Sequence, residues 1–287
     1  MSVVMITGCS RPTGFGQLTA LAFANAGHEV YATMRKPERG ASLEKQAAAK
    51  GLALHVIEQD VTDPASNRWA VEVMLERSGR VDVLVNNAAI SAFGALETVS
   101  DEKYRSVLET NFFGSVDATR AVLPAMREQG GGRILFVTSL AGCIGLPGET
   151  SYTASKFAVE GMAEGLSYEV KRFGIEVSIV APSFFNTGMS ASTDVEGHYE
   201  KGTPYDAFNE HIVASTTGGE DAGEDPELVA EMILEAATTD EPRLRWWPGE
   251  QGPQLAAARR AMTDAQWQPM LTGEMKLGWW VEGREPE

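Results

Sequence analysis

Short runs of apolar residues alternate along the first 180 residues with longer stretches in which apolar positions recur every three or four residues. The apolar runs predict six strands, at residues 3–7, 30–33, 52–57, 81–85, 134–138 and 176–180. The stretches between them predict helices, among them residues 14–26, 64–78, 101–128 and 151–173. Short apolar strands that alternate with helices are typical of a parallel sheet covered on both sides. The pattern therefore predicts an α/β fold with a doubly wound parallel sheet of about seven strands, the last at residues 244–247.

The alternation breaks after Pro182. Residues 188–225 are rich in Gly, Ser, Thr, Asp and Glu, and we interpret them as a lid over a substrate site. A helix is expected from Pro226 to about residue 237, and the tail contains one further predicted helix, at residues 254–262. We therefore expect one domain over residues 1–248, followed by a C-terminal extension over 249–287 that packs on or near the substrate site.

Composition and charge narrow the functional classes. The chain has 287 residues, enough to bury a large core, and its net charge of −16 disfavours nucleic acid and anionic membranes as partners. Residues 1–187 carry 17 basic and 20 acidic side chains, whereas the remaining residues carry 7 and 20. No apolar run reaches about 18 residues, so no membrane span is predicted. Only two cysteines occur, and the first apolar run is interpreted as a strand rather than a signal peptide, so a cytoplasmic location is expected.

The turn after the first strand is rich in glycine and leads into the first helix. Glycine lets a backbone approach a pyrophosphate closely, and a helix N-terminus presents free N–H groups and a positive dipole end. The spacing G-x5-G-x-G differs from the common dinucleotide fingerprint, and a structural turn is the alternative. Its place at the first strand–helix junction favours a cofactor phosphate site formed by Gly8, Ser10, Arg11, Gly14, Phe15 and Gly16.

The end of the second strand bears on the choice of cofactor. An acidic residue there would bind the ribose 2′-hydroxyl of NAD, and none is present in the run from Tyr31 to Lys36. Arg35 instead suits a 2′-phosphate, and Ser10 and Arg11 can face the same group. The sequence therefore favours NADP(H) over NAD(H). The alternative is that Arg35 and Lys36 are solvated loop charges.

A candidate acid–base group lies on the helix predicted at residues 151–173. Tyr152 and Lys156 are four residues apart and share one helix face, so the ammonium is expected to lower the pKa of the phenol from about 10. Tyr152 would then exchange protons near neutral pH. Ser139, at the end of the fifth strand, offers a hydroxyl to a carbonyl oxygen. Taken alone, a Tyr/Lys pair at this spacing is usually an ordinary surface pair.

Further motifs support a functional interpretation of the Tyr/Lys pair, because all of them occur together and in one order along the chain. They are Thr7-Gly8 with Gly14-Phe15-Gly16, Asp60-Val61, Asn86-Asn87-Ala88-Ala89, Asn111, Ser139, Tyr152-Thr153-Ala154-Ser155-Lys156 and Pro182-Ser183-Phe184-Phe185-Asn186-Thr187. The set closely resembles the single-domain short-chain dehydrogenase/reductase family, strongly over residues 3–190 and more loosely to about residue 248. The segment Tyr-Ala-Thr-Met-Arg is most similar to the hydroxysteroid and retinol dehydrogenase branch, whose members often prefer NADP(H).

The resemblance implies a Rossmann-type fold and a role for each matching residue. Tyr152 would be the catalytic acid/base, Lys156 would lower its pKa and hold the nicotinamide ribose, and Ser139 would orient the substrate oxygen. Asn111 would hold a water in a proton relay to Lys156. The remaining cofactor contacts would be Asp60 and Val61 to adenine, Asn87 and Ala88 beside the adenine ribose, and Pro182 and Thr187 around the nicotinamide.

Three positions depart from the family pattern. The glycine loop is two residues longer than usual, which leaves the phosphate contacts of its central part open. Ala89 and Ser183 each stand where the family usually has glycine. None of the three departures removes a catalytic group.

The reaction implied is hydride transfer between a nicotinamide and a carbonyl or secondary alcohol. The walls of the substrate pocket are expected from residues 91–94, 140–147 and 188–225, whose apolar side chains favour a steroid-, retinoid-, aromatic- or terpenoid-like substrate. The candidate pocket residues are Phe93, Leu140, Ile144, Leu146, Phe184 and Met189. The four histidines show no metal-ligand spacing, so no metal is expected.

Two alternatives stay open at this point. A non-catalytic dinucleotide-sensing protein can share the fold, although it would not need Asn111, Ser139, Tyr152 and Lys156 together. An epimerase or dehydratase is the second, although such relatives usually carry a larger C-terminal domain. The expected partner is a small hydrophobic carbonyl or alcohol, with no nucleic acid and no membrane, and the family resemblance implies a homodimer or homotetramer.

Overall fold

One parallel sheet of seven strands forms the centre of the molecule. The computed structural model describes residues 1–187, 197–220 and 223–284, with the backbone alone from residue 217 to 220. The strand order is β3-β2-β1-β4-β5-β6-β7, and every neighbouring pair is parallel. The strands are β1 (Val3–Ile6), β2 (Glu29–Met34), β3 (Leu54–Glu58), β4 (Val83–Asn86), β5 (Gly132–Val137), β6 (Ile175–Val180) and β7 (Arg245–Trp246). The predicted doubly wound α/β fold is confirmed.

The strand order places a ligand crevice at the middle of the sheet. From β1 the chain first proceeds outward through β2 and β3, then returns to β4 on the other side of β1. Met5 of β1 pairs with Tyr31 on one side and with Leu84 on the other. In doubly wound sheets, ligands bind beyond the carboxyl ends of the strands at such a switch point. The glycine-rich turn follows β1, so it lies at this point.

Helices cover the sheet on both faces. They are α1 (Phe15–Asn25), α2 (Ala41–Ala49), α3 (Pro64–Ser78), α4 (Asp101–Leu108), α5 (Gly114–Glu128), α6 (Thr150–Val170), α7 (Asp206–Glu220), α8 (Glu227–Thr238), α9 (Gln251–Ala261), α10 (Asp264–Glu274) and α11 (Gly278–Val281). The start of α3 is as predicted: the Asp63 carboxylate accepts a hydrogen bond of 2.8 Å from the backbone N–H of Ala65, and Pro64 is the first helical residue.

Each face of the sheet has its own apolar layer. On one face, Phe23 of α1 and Ile233 of α8 pack with the strands. On the other face, Met74 of α3, Val122 of α5 and Val159 of α6 do so. These two layers hold the strand ends, and therefore the loops of the site, in fixed relative positions.

The long helix predicted at residues 101–128 is not continuous. A π-helical turn, Glu109–Phe113, separates α4 from α5. Asn111 lies in this turn and is buried. A π turn inserts an extra residue into the helix and is frequent at functional sites. Residue spacing could not reveal it, because the apolar positions on either side still fit helices.

The part of the chain after residue 187 differs most from expectation. Residues 206–220 of the expected lid form a regular helix, α7, because Phe208 and Ile212 pack against Phe93 and Leu277. The expectation of one helix in the tail is wrong: α10 and α11 follow α9. Pro269, which argues against a helix in the sequence, lies within α10. Burial of Trp267 at the base of the extension favours the helix over that local preference.

Within the described ranges, no helix is both long and apolar enough to cross a membrane. The same ranges contain no group of three or more potential metal ligands.

Candidate active site

The glycine-rich loop brings the backbone of β1 close to that of β4. Gly8 has a φ of +76°, and a Cβ there would lie 2.6 Å from the Cα of Ala88. A Cβ on Gly16 would lie 2.7 Å from the side-chain nitrogen of Asn87 and 2.8 Å from the Gly8 carbonyl oxygen. The loop conformation therefore requires glycine at both positions. Gly14 is the N-cap of α1, so the free N–H groups of that helix face the loop.

Asn87 and Thr7 fasten this loop to the end of β4. The Asn87 side-chain amide donates to the Thr7 carbonyl oxygen at 2.7 Å, and the Thr7 hydroxyl accepts hydrogen bonds of 3.0 Å from the backbone N–H groups of Asn87 and Ala88. The side chain of Asn87 thus supports the loop from behind, while Asn87 and Ala88 also line the adjacent cleft.

A cleft of about 460 Å³ opens beyond the ends of β1, β2 and β4. It contains all the predicted cofactor residues except Tyr152, Lys156 and Pro182. Its described lining is Gly8, Ser10, Arg11, Gly14, Phe15, Gly16, Met34, Arg35, Lys36, Arg39, Gln59, Asp60, Val61, Asn87, Ala88, Ala89, Ile90, Thr110 and Thr187. Nineteen residues from separate parts of the chain therefore converge on one cleft, at the place where doubly wound sheets bind dinucleotides.

Positive charge collects at the β2 side of this cleft. Arg35, Lys36 and Arg39 are exposed there, and within the described ranges no carboxylate forms an ion pair with them. The carboxyl of Asp60, which also lines the cleft, instead accepts hydrogen bonds of 3.0 Å and 2.8 Å from the backbone and hydroxyl of Thr62. The cations are thus available to an anionic ligand.

These features fit a dinucleotide cofactor. The two glycines leave room where a Cβ would collide, the N-terminus of α1 points at the loop, and unpaired cations face the end of the cleft where a 2′-phosphate would be held. Sequence analysis did not identify Lys36 and Arg39 as part of this set. Their clustering with Arg35 depends on the 3-10 turn Pro37–Gly40, which places Arg39 back at the cleft.

Ser139, Tyr152 and Lys156 come together at the end of β5, as the sequence predicts. Ser139 caps the short 3-10 turn Leu140–Gly142, its hydroxyl accepting a hydrogen bond of 3.1 Å from the Ala141 N–H. It is also close enough to Tyr152 for hydrogen bonding to lower the pKa of the phenol. The Nζ of Lys156 lies 5.4 Å from the centroid of the Tyr152 ring. Ser139 and Tyr152 therefore share one wall of a pocket, and the buried Lys156 lies beside the Tyr152 ring.

The pKa of Tyr152 is shifted in the direction opposite to the expected one. Enclosure in the pocket raises the pKa above its ordinary value of 10, the charge of Glu149 raises it further, and the hydrogen bond with Ser139 opposes both. Desolvation of the phenolate is the largest of these effects. The Lys156 amine, which donates to the carbonyl oxygen of Val137 at 2.9 Å, does not produce the expected lowering. In the protein alone, Tyr152 is a protonated acid at neutral pH.

Lys156 is itself perturbed. It is buried, and desolvation lowers its pKa to about 8, although the nearby Glu160 carboxylate acts in the opposite direction. Glu160 is held by the Thr138 hydroxyl at 2.8 Å and by Arg245 of β7 at 3.0 Å. This network fixes the helix face that carries Lys156.

Asn111 is brought to the same region by the π turn. Its side chain accepts a hydrogen bond from the Ile90 N–H and donates to the Ile90 carbonyl oxygen, each at 2.9 Å. It also donates to the Ser155 hydroxyl on α6, again at 2.9 Å. Asn111 therefore ties the β4 loop to the helix of Tyr152 and Lys156.

A second, smaller pocket of about 120 Å³ lies beside Tyr152 and shares Phe15 and Thr187 with the cofactor cleft. Of the predicted pocket residues, Phe93, Leu146 and Phe184 line it. Leu140 and Ile144 do not: they are buried against Ala256 and Trp267 of the extension. Met189 lies outside the described residues. The pocket is lined by Phe15, Ser91, Phe93, Thr138, Ser139, Leu146, Glu149, Tyr152, Pro182, Ser183, Phe184, Phe185, Thr187 and Thr216.

The C-terminal extension supports this pocket from two sides. Ala256 and Trp267 pack behind the turn that begins at Ser139. Leu277, with α7, packs behind Phe93. Phe93 is positioned further by His198, whose Nδ1 accepts a hydrogen bond of 3.2 Å from the Phe93 N–H.

Glu149 is a pocket residue that sequence reasoning missed. It lies next to Tyr152, and burial raises the pKa of its carboxyl from 4.5 to about 7. The only signal for it in the sequence is an acidic residue three positions before the tyrosine of the Tyr-x-x-x-Lys motif.

Comparisons with known proteins agree with this geometry. A family model described as short chain dehydrogenase matches residues 2–196. The chain is 40% identical over 193 residues to 3-ketodihydrosphingosine reductase of Bacteroides thetaiotaomicron, covering 67% of each protein. It is 34% identical over 258 residues to human 17-beta-hydroxysteroid dehydrogenase type 1, covering 87% of this chain and 78% of the relative.

Solved structures extend the similarity over nearly the whole chain. A short-chain dehydrogenase from Streptomyces avermitilis matches with a TM-score of 0.78 and 32% identity, covering 96% of this chain and 97% of the other. A short chain dehydrogenase/reductase from Burkholderia phymatum in complex with NAD matches with a TM-score of 0.80 and 25% identity, covering 90% and 92%. The chain therefore belongs to the short-chain dehydrogenase/reductase family, oxidoreductases that act on CH–OH groups and bind a nicotinamide nucleotide.

Proposed function

We propose that the protein is an NADP(H)-dependent oxidoreductase that interconverts a hydrophobic ketone or aldehyde with the corresponding alcohol. The observation that carries the proposal is the position of Ser139 and Tyr152 in the wall of the smaller pocket, with Lys156 beside the Tyr152 ring. This wall is next to the junction of the two pockets, where Phe15 and Thr187 belong to both. A dinucleotide sensor would need only the larger cleft, so the intact acid–base group favours an enzyme.

The larger cleft is proposed to hold the cofactor. Gly8, Gly16 and the N-terminus of α1 would hold the pyrophosphate, and Asp60 and Val61 would border the adenine. Arg35, with Lys36 and Arg39, would bind a 2′-phosphate, which is the basis for preferring NADP(H). When bound, the nicotinamide supplies or accepts the hydride.

The chain's own residues would move the proton. In reduction, the protonated phenol of Tyr152 donates its proton to the substrate oxygen; in oxidation, the phenolate takes the proton of the alcohol. Ser139 would donate a hydrogen bond to the same oxygen and fix its position. Lys156 would stabilise the phenolate, and Asn111 would hold the relay that restores the proton. The raised pKa of Tyr152 in the protein alone favours the acid role.

The smaller pocket is proposed to receive the reacting end of the substrate. Phe93, Leu146 and Phe184 supply apolar walls. The names of two relatives, a 17-beta-hydroxysteroid dehydrogenase and a 3-ketodihydrosphingosine reductase, also favour a hydrophobic alcohol or ketone. Steroid-, retinoid-, aromatic- and terpenoid-like substrates are all candidates. Residues 188–225 would form the lid and residues 249–287 the outer support of a single domain.

The homodimer or homotetramer and the cytoplasmic location stay predictions.

The test is an activity assay with a panel of ketones, aldehydes and secondary alcohols. Carbonyl compounds are assayed with NADPH or NADH and alcohols with the oxidised forms, and the absorbance at 340 nm is monitored. We expect turnover of apolar members with a higher kcat/KM for NADP(H). Tight binding of the dinucleotide without turnover of any member would instead support the sensor.

A further inference from the structure

Glu149 stands in the wall of the substrate pocket, immediately before the first residue of α6 and three residues before Tyr152. Both side chains line the same pocket of about 120 Å³. The charge of Glu149 reaches Tyr152, whose pKa it raises. A group bound to the Glu149 carboxyl would therefore lie close to the oxygen on which Tyr152 acts.

The carboxyl has no role in holding the fold together. Within the described ranges it makes no hydrogen bond or ion pair, and it does not cap α6. Residues 188–196, 217–222 and 285–287 contain no Lys, Arg or His, so they cannot supply a cation. Lys156, on the same helix, donates to Val137 instead. Burying a carboxylate without a partner costs free energy, and the raised pKa of Glu149 reflects that cost.

The pocket contains further polar groups without partners. The buried hydroxyls of Ser91 and Ser183 make no hydrogen bond to any described residue, yet both residues line the pocket. The remaining wall is largely apolar, with Phe93 and Phe184. Polar groups placed on apolar walls fix the orientation of a ligand that has a matching polar group.

A protonated amine matches Glu149 better than a neutral hydroxyl does. An ionised carboxylate only accepts hydrogen bonds, and hydrogen bonds between charged partners are about twice as strong as neutral ones. The described lining of the pocket contains no Lys or Arg that would repel a cationic ligand. Charge compensation also removes the cost of desolvating the carboxylate.

We infer that Glu149 is a specificity-determining residue, and that it binds a protonated amine carried by the substrate close to the reacting carbonyl or alcohol carbon. The substrate class is then an amino ketone or amino alcohol with an apolar body. This inference rests on the proposed function for the identity of the reacting group. It narrows that proposal from hydrophobic alcohols in general to those with a neighbouring amine.

The test compares 1-aminooctan-2-ol with octan-2-ol, which differ by the amine alone. Binding of each is measured by calorimetry at pH 8 in the presence of NADPH, which cannot accept a hydride from an alcohol. Oxidation of each is followed separately at 340 nm with NADP⁺. For the wild type we expect the amino alcohol to bind at least tenfold more tightly. Glu149→Gln is expected to abolish that preference while its Kd for octan-2-ol stays within threefold of the wild-type value.

Two controls separate this effect from a general loss of structure or charge. Glu149→Gln is expected to have a melting temperature no lower than the wild type, because no residue that the structure describes pairs with the carboxyl. Glu72→Gln, which removes an exposed charge on α3, is expected to keep the amine preference. Equal binding of the two alcohols by the wild type, or an unchanged preference in Glu149→Gln, would overturn the inference. Because binding is measured apart from oxidation, absence of turnover would count against the proposed function alone.

Discussion

At the scale of single residues, the charges at the end of β2 are the basis for the proposed preference for NADP(H). Arg35, Lys36 and Arg39 are exposed beside the cleft, and no carboxylate in the described ranges pairs with them. Asp60, the acidic residue that lines the same cleft, is engaged with Thr62. A negatively charged 2′-phosphate is therefore attracted, whereas a ribose hydroxyl finds no acidic partner at the end of β2.

Arg35→Ala should raise the KM for NADPH about tenfold or more and leave the KM for NADH within twofold. The reason is the loss of a hydrogen bond between charged groups, which contributes about 1.5–3 kcal/mol. Arg68→Ala, an exposed substitution on α3, is the matched control and should change neither value. Equal changes for both cofactors in Arg35→Ala would remove the 2′-phosphate assignment.

Lys156 gives a prediction about pH. Its pKa in the folded protein is about 8, below the ordinary 10.5, so the unfolded chain binds more protons between these values. Stability then rises with pH in that window, by about 1–2 kcal/mol between pH 7.5 and 9.5. Urea unfolding of the wild type and of Lys156→Met, without cofactor, measures the effect. The wild type should gain stability relative to the variant as pH rises; a constant difference would show that Lys156 titrates normally.

Residue patterns predict the catalytic set but not every wall of the pocket. Ser139, Tyr152 and Lys156 are recognisable because they occur together with the other motifs of a known family; the Tyr/Lys spacing alone would not identify them. Leu140 and Ile144 are apolar and close in sequence to Ser139, but the extension, not the pocket, covers them. Glu149 is a lone acidic residue in sequence, and only its burial reveals its environment.

At the scale of elements, the π turn between α4 and α5 connects two parts of the site. It directs Asn111 inward, where three hydrogen bonds join the β4 loop at Ile90 to Ser155 on α6. The glycine loop is fixed in a comparable way by Asn87 and Thr7. Backbone groups of loops, rather than apolar packing alone, therefore set the relative positions of the cleft and the acid–base group.

Asn111→Ala should reduce kcat at least tenfold and lower the free energy of unfolding by about 1–3 kcal/mol, because it leaves partly buried backbone groups of Ile90 without their hydrogen-bond partner. Asp63→Ala is a stability-matched control: it removes the N-cap of α3, at a cost of about 1 kcal/mol, away from the site. The control should lose stability and keep kcat. If both variants keep kcat, Asn111 has only a structural role.

Elements with strong local signals were predictable, and those formed by tertiary packing were not. The strands and α3 follow from apolar runs and from Asp63-Pro64. In contrast, α7 has a polar, Gly- and Thr-rich sequence, and its helix is stabilised by contacts of Phe208 and Ile212 with Phe93 and Leu277. Likewise, α10 contains Pro269. Its helix forms around the buried Trp267, which the local sequence does not predict.

At the scale of the whole molecule, the two parts of the chain that differ in net charge also form different parts of the site. The nearly neutral first 187 residues form six of the seven strands and the cationic rim of the cofactor cleft. The acidic remainder includes α7 and the extension, which pack behind the substrate pocket. The excess of acidic over basic side chains thus lies mostly after residue 187, in the part of the chain that includes α7 and the extension.

Trp267→Phe should raise the KM for the substrate several-fold and leave the KM for NADPH unchanged. Trp267 packs behind Leu140 and Ile144, so a smaller ring loosens the turn that begins at Ser139 without touching the cofactor cleft. Trp69→Phe, at an exposed position of α3, is the matched control. Equal effects on both KM values would show that the extension supports the fold as a whole rather than the pocket.

The most direct test of the account is Tyr152→Phe, assayed for both cofactor binding and turnover. The substitution removes one hydroxyl and keeps the ring, so the fold and the larger cleft should be unchanged. We predict a Kd for NADPH within threefold of the wild type and a loss of kcat of about a thousandfold or more, since general acid–base catalysis contributes about 10²–10⁴-fold. Turnover close to that of the wild type would contradict the assignment of Tyr152 as the proton donor and, with it, the proposed mechanism.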